Sequence, residues 1–188
     1  MNLRVLIPIA EGFEEMEAVT CIDILRRAGC TVVVAGIGPS PVRASRGLRV
    51  VPDADWETAR SEPWDLVVLP GGAAGVQALS ASTTLRAFLL DRHRRRQRIA
   101  AICAAPGLLA ELGMLEGRRV TAFPGVLDPH SPHYQWVDQA VVVDGSLVTS
   151  QGPGTALDFA LTLVEILVGA QRRQEVEAPL QRPSKSPR

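Results

Sequence analysis

Short continuous apolar runs alternate along this chain with segments whose apolar positions recur at helical spacing. Leu3 to Ile9 (LRVLIPI) is a run of the first kind and predicts a strand buried on both faces of a parallel sheet. Acidic residues follow at Glu11, Glu14, Glu15 and Glu17, then apolar positions at Met16, Val19, Ile22, Ile24 and Leu25, closing on Arg26-Arg27-Ala28-Gly29. Acids in the first turn, arginines in the last and a glycine stop predict a helix. Cys30 to Ile37 (CTVVVAGI) predicts a second buried strand, which completes a βαβ unit with a right-handed crossover.

The alternation continues. Pro41 to Arg46 and Leu48 to Val51 predict a short edge hairpin, and Asp65 to Pro70 a strand that runs into Gly71-Gly72. Ser82 to Arg98 predicts a helix with apolar positions at Leu85, Phe88 and Leu89. Ile99 to Cys103 predicts a strand that passes directly into a helix from Ala104 to Leu112, stopped by Gly113. Strands are expected at Val120 to Phe123 and Val141 to Val148, the latter a hairpin about Asp144-Gly145, and a helix at Thr155 to Val168 capped by Gly169. The fold class is α/β: a doubly wound, flavodoxin-like three-layer sandwich on a mostly parallel sheet. One domain is expected over residues 1–180, with a polar, basic, frayed tail at 181–188.

Composition narrows the function. At 188 residues and 46% hydrophobic, the chain can bury a core without disulfides or metal. A net charge of zero argues against bulk attraction to nucleic acid or an anionic membrane, and neither partner is expected. The balance is uneven, because Arg86 to Arg98 holds six arginines against one aspartate. Cations at a helix C-terminus are the ordinary reading of that run, and no aromatics interleave as in a nucleic-acid surface. Cys21, Cys30 and Cys103 form neither a disulfide framework nor a zinc site and suit a reducing compartment. His130 and His133, split by Pro132, read as a surface pair and not as metal ligands. With no signal peptide or bilayer-length apolar run in view, the expectation is a cytoplasmic protein without metal or cofactor.

Open α/β sheets bind ligands beyond the carboxyl ends of their strands. There Cys103 stands at a strand-to-helix junction among small neighbours (Ala100, Ala101, Ala104, Ala105), the setting of a nucleophile elbow. The helix N-terminus is expected to lower the pKa of its thiol. A packed, inert thiol is the alternative. Gly71-Gly72 could aim backbone N–H groups at an oxyanion, or form a plain tight turn. Glu14 and Glu17 lie three apart and share a helix face, while Glu15 points elsewhere. A carboxyl facing that sheet edge would be desolvated, hold its proton and donate to a thiolate.

The stretches G-F-E-E-M-E-A-V, I-D-I-L-R-R-A-G, S-R-G, V-P-D-A, D-L-V-V-L-P-G-G, A-A-I-C-A-A-P and T-S-Q-G-P-G-T occur in this order between Leu3 and about Leu180. They resemble the ThiJ/PfpI (DJ-one) superfamily, on the branch of the parkinsonism-associated deglycase and the bacterial YajL-type proteins. The resemblance implies Cys103 as nucleophile, Glu17 as its protonated partner, and the N–H groups of Gly72 and Ala104 as oxyanion donors. It implies that Arg27, Arg46 and Gly71 lie near the site or a homodimer interface. The implied activity is that of a cofactor-free glyoxalase or deglycase acting on methylglyoxal, glyoxal or glycated amines and thiols. An oxidative-stress sensor or chaperone using Cys103 is the alternative, and a cysteine peptidase or amidase a weaker one. The protease branch has histidine where Ala104 stands, and some deglycase relatives have one near the sulfur where Phe123 stands. Ala44 and Val51 replace secondary cysteines of other members.

Overall fold

A computed structural model describes residues 3–182. Its strands are β1 (Arg4–Ala10), β2 (Thr31–Ile37), β3 (Val42–Arg43), β4 (Arg49–Val50), β5 (Ala54–Asp55), β6 (Leu66–Leu69), β7 (Arg98–Ile102), β8 (Arg119–Val120), β9 (Gln135–Trp136), β10 (Val141–Asp144) and β11 (Leu147–Ser150). Its helices are α1 (Glu15–Arg27), α2 (Trp56–Ala59), α3 (Ala73–Ala81), α4 (Thr83–Arg94), α5 (Ala105–Glu111), α6 (Ala156–Val168) and α7 (Ala170–Glu177). The main sheet runs β10-β11-β7-β6-β1-β2-β5 and is parallel except for the β10–β11 hairpin. From β1 the chain winds outward through β2 and β5, then returns to the other side of β1 through β6. The crevice between β1 and β6 is therefore the switch point, where ligand sites form in such folds.

Side chains of β1 alternate between two cores, which is why its sequence reads as an unbroken apolar run. Val5, Ile7 and Ile9 pack under α1 and α6, among residues such as Leu25, Phe159 and Val164. Leu6 and Ala10 face the opposite layer, with Leu79, Leu85, Leu89 and Leu108 from α3, α4 and α5. Among the described residues no helix is long and apolar enough to cross a membrane.

Two local expectations give way, and two helices stand where none was expected. The helix expected over Ser82 to Arg98 ends at Arg94, and Arg96 turns the chain with φ +54° before Arg98 opens β7. A run of arginines carries no apolar register that could mark this break. Helix α3 was hidden by its alanine and glycine content, and α7 by its polarity. A single buried side chain, Val176, anchors α7 from within, while Arg172 donates to the carbonyls of Arg27 and Ala28 at 2.8 and 3.1 Å. The strand expected at Val120 to Phe123 stops at Val120, because the Thr121 N–H donates to Thr149 Oγ1 at 2.9 Å instead of a neighbouring backbone. Arg182, assigned to the tail, pairs with Asp158 at 2.8 Å and Glu177 at 2.7 Å. Residues 183–188 lie outside the described residues.

Candidate active site

Three loops leave the carboxyl ends of β1, β6 and β7 at the switch point, and each brings one element of the site. The β7–α5 junction is only two residues long, Cys103 and Ala104, and Cys103 makes the turn with φ +64°, a region few side chains adopt. Such backbone strain persists only where its surroundings fix it. Here the Cys103 N–H donates to the Ser150 carbonyl at 3.0 Å and its own carbonyl accepts from the Phe123 N–H at 3.0 Å. The turn leaves Cys103 half-buried at the start of α5, with the Ala104 and Gly72 N–H groups directed at its sulfur.

Glu17, in the first turn of α1, is fully buried. Its Oε2 accepts from the Gly71 N–H at 2.7 Å, its carboxyl interacts with the Cys103 thiol, and Oε1 has no further hydrogen-bond partner. Gly71 is the hinge of this arrangement. A Cβ there would sit 2.6 Å from the Cys103 Cβ and 2.7 Å from Glu17 Oε2, so only glycine admits both side chains. At Gly72, φ is +86° and a Cβ would lie 2.3 Å from the Gly12 carbonyl oxygen. The Glu14 N–H donates to the Gly71 carbonyl at 3.0 Å, which ties the β1 and β6 loops together.

Burial pushes the Glu17 carboxyl up to about 7, and the Glu14 charge adds to the rise against the opposing Gly71 and Cys103 hydrogen bonds. Burial and the adjacent Glu17 carboxylate push the Cys103 thiol up to about 12, although the Gly72 and Ala104 N–H groups act downward. The expected lowering by the helix N-terminus is thus outweighed, by desolvation first and the neighbouring anion second. Between about pH 7 and pH 12 the pair carries one negative charge and one proton, for which carboxyl and sulfur compete. With the proton on Glu17, the sulfur is a thiolate facing two N–H donors. That form is a nucleophile beside an acid.

The arginines of interest lie apart from this pair. Arg27 is exposed in the last turn of α1 and pairs with Asp23 at 2.8 Å; ten residues beyond Glu17, it stands roughly 15 Å along the helix. Arg46 is exposed on the β3–β4 turn, where its backbone N–H donates to Glu15 Oε1 at 2.9 Å. It borders a cleft of about 480 Å³ that Glu14 and Gly72 also line. Ser45 was missed from sequence, although the S-R-G stretch contains it. Its hydroxyl bridges Glu14 and Glu15, each at 2.8 Å, and pins the hairpin against the start of α1. His133 pairs with Glu116 at 3.1 Å on the surface, and no group of three candidate metal ligands occurs among the described residues. Cys21 and Cys30 are buried, and burial pushes both thiols up.

Residues 3–166 match the model of the DJ-1/PfpI family. The chain belongs to the DJ-1/PfpI family. It is 45% identical over 181 residues to the Parkinson disease protein 7 homolog of Danio rerio, an alignment that covers 94% of this chain and 96% of the relative. It is 34% identical over 177 residues to the glutathione-independent glyoxalase DJR-1.2 of Caenorhabditis elegans, covering 94% of each. The crystal structure of Drosophila melanogaster DJ-1beta aligns with a TM-score of 0.93 at 40% identity, over 98% of this chain and 100% of that one. These DJ-1/PfpI relatives share the doubly wound α/β fold, and the family includes a glutathione-independent glyoxalase.

Proposed function

We propose that the chain is a cofactor-independent glyoxalase, with deglycation of methylglyoxal or glyoxal adducts on amines and thiols as a related use of the same site. The observation that carries this reading is the convergence of Cys103, Glu17 and the Gly72 and Ala104 N–H groups at the switch point. The Cys103 thiolate attacks the aldehyde carbon of methylglyoxal, and the oxyanion of the resulting hemithioacetal takes the two N–H donors. Glu17 passes its proton to that oxyanion and, now a carboxylate, removes the proton from the same carbon to give an enediol and returns it to the adjacent one. This leaves a thioester of lactate, which water cleaves to lactate and free thiol. Water is the only co-reactant, and no electrons are exchanged with an external acceptor.

A homodimer fits the exposed apolar residues Met16 and Val19 on α1 with Leu48 and Val51 on or beside the hairpin. Three unpaired cysteines suit a reducing compartment such as the cytoplasm. Purified protein given methylglyoxal without thiol cofactor should form lactate, and Cys103→Ser and Glu17→Gln should not. Full activity in both variants would overturn the mechanism.

A further inference from the structure

At the opposite, amino-terminal edge of the sheet, a second cavity of about 730 Å³ opens beneath the starts of β1, β6 and β7. An adjoining hollow of about 470 Å³ shares Trp64, Asp65 and Gln97 with it and reaches Ser146 at the start of β11. Together they have the size of a small-molecule site.

Arg92 stands in the wall of the larger cavity and is 3% exposed. Its guanidinium donates to the carbonyls of Trp64 at 3.0 Å and Arg98 at 2.9 Å, both neutral, and its Nε has no partner. Among the described residues no carboxylate lies within ion-pair distance of it. The nearest acids, Asp65 and Asp91, act only through space, and Asp65 Oδ2 is already occupied by the Arg4 backbone N–H at 2.8 Å. A buried cation without a counter-ion is costly, and burial here pulls Arg92 down to about 10.

The other arginines around the two hollows divide into two sets. Arg4, Arg60 and Arg95 are paired with Glu62, Glu57 and Asp91, at 3.2, 2.6 and 2.9 Å. Arg96 and Arg98 are exposed and have no ion-pair partner among the described residues. Asp65, which lines both hollows without an ion pair among the described residues, offsets one of the three unpaired guanidiniums of Arg92, Arg96 and Arg98, so this edge keeps an excess of two positive charges.

We infer that this amino-edge cavity binds a small phosphorylated molecule. A phosphoryl group offers several oxygens and about two charges, and a phosphorylated molecule lying across both hollows meets Arg92 in the larger and Arg96 and Arg98 in the adjoining one. The ligand would supply the counter-charge that Arg92 lacks, and the remaining volume would hold the body of the molecule. This site is separate from Cys103, so the inference stands independently of the glyoxalase reading.

The test is a titration of the full chain with inorganic pyrophosphate, followed by 15N-resolved NMR against chloride at matched ionic strength. Amide shifts are expected at Trp64, Gln97, Arg98 and Ser146. Affinity should fall about tenfold in Arg96→Gln/Arg98→Gln, whose side chains are exposed and need not disturb folding. Cys103→Ser should bind pyrophosphate as the parent does. Arg92→Met should abolish the shifts if it folds; if it does not, the surface double variant decides. Shifts no larger than those with chloride, shifts confined to residues around Cys103, or unchanged affinity in Arg96→Gln/Arg98→Gln would each overturn the inference.

Discussion

The two edges of the sheet hold ionisable groups of opposite kind, and backbone polarity explains why. At the carboxyl edge helices begin, so free N–H groups of Gly71, Gly72 and Ala104 converge on a carboxyl and a sulfur. At the amino edge α4 ends and strands start, so the free carbonyls of Trp64 and Arg98 converge on the Arg92 guanidinium. One edge is built to receive an anion that the protein or its substrate generates. The other is built around a fixed cation. A parallel sheet with helical crossovers enforces this polarity before any particular side chain is chosen.

Each edge can be perturbed on its own. Short of removing a reacting group, the largest effect on activity is expected from Gly71→Ala, which thrusts a methyl between the Cys103 Cβ and Glu17 Oε2. Activity toward methylglyoxal should fall by about a hundredfold or more, since a displacement of about 1 Å can cost that much. Stability should drop by about 1–3 kcal/mol from overpacking. Steady-state kinetics and denaturant melts measure the two separately, and parent-like values in both would show that the pair tolerates separation.

Glu17→Gln removes a reacting group outright, and its separate effect on stability depends on pH. The Glu17 carboxyl titrates near 7 in the folded protein against an ordinary 4.5. A raised value means that the folded state holds the proton more tightly, so this contribution to stability is full below pH 4.5 and is lost as pH rises through 7. The variant has no such group. Its stability relative to the parent should therefore rise between pH 4.5 and 7 and level off above, by up to about 3 kcal/mol. A difference that does not change with pH would remove the buried acid from the account.

The smallest effect should come from the amino edge. Arg92→Met deletes two bonds to carbonyls and relieves an uncompensated charge, opposing terms that leave a net loss of about 1–2 kcal/mol. Methylglyoxal turnover per folded molecule should be unchanged, as measured with active-site titration. A drop in turnover would mean that the two edges are coupled.

Much of this contrast was legible in the chain. Leu3 to Ile9 and Asp65 to Pro70 announce buried strands because both of their faces need apolar residues. Cys103 stands out because a strand passes into a helix there without a linker. Glu17 was only half legible, since helix periodicity puts Glu14 on the same face. The folded chain makes Glu14 the N-cap, where its side chain accepts from the Met16 N–H at 3.5 Å, while Glu17 turns inward. The direction of the Cys103 shift was illegible, because it depends first on burial and then on a carboxyl far away in sequence, both supplied only by the fold. Arg92 was concealed most completely. It looks like its solvated neighbours in an arginine run, and only the position of Trp64 and Arg98 across the sheet edge buries it.

In the proposed mechanism Cys103 and Glu17 act as a pair that shares one proton. The rate at which iodoacetamide alkylates Cys103, followed by mass spectrometry from pH 5 to pH 10, tests it most directly. A rise through about pH 7 is expected in the parent, followed by a plateau, and no step near pH 7 in Glu17→Gln. A single, identical rise near the ordinary thiol value in both proteins would contradict it.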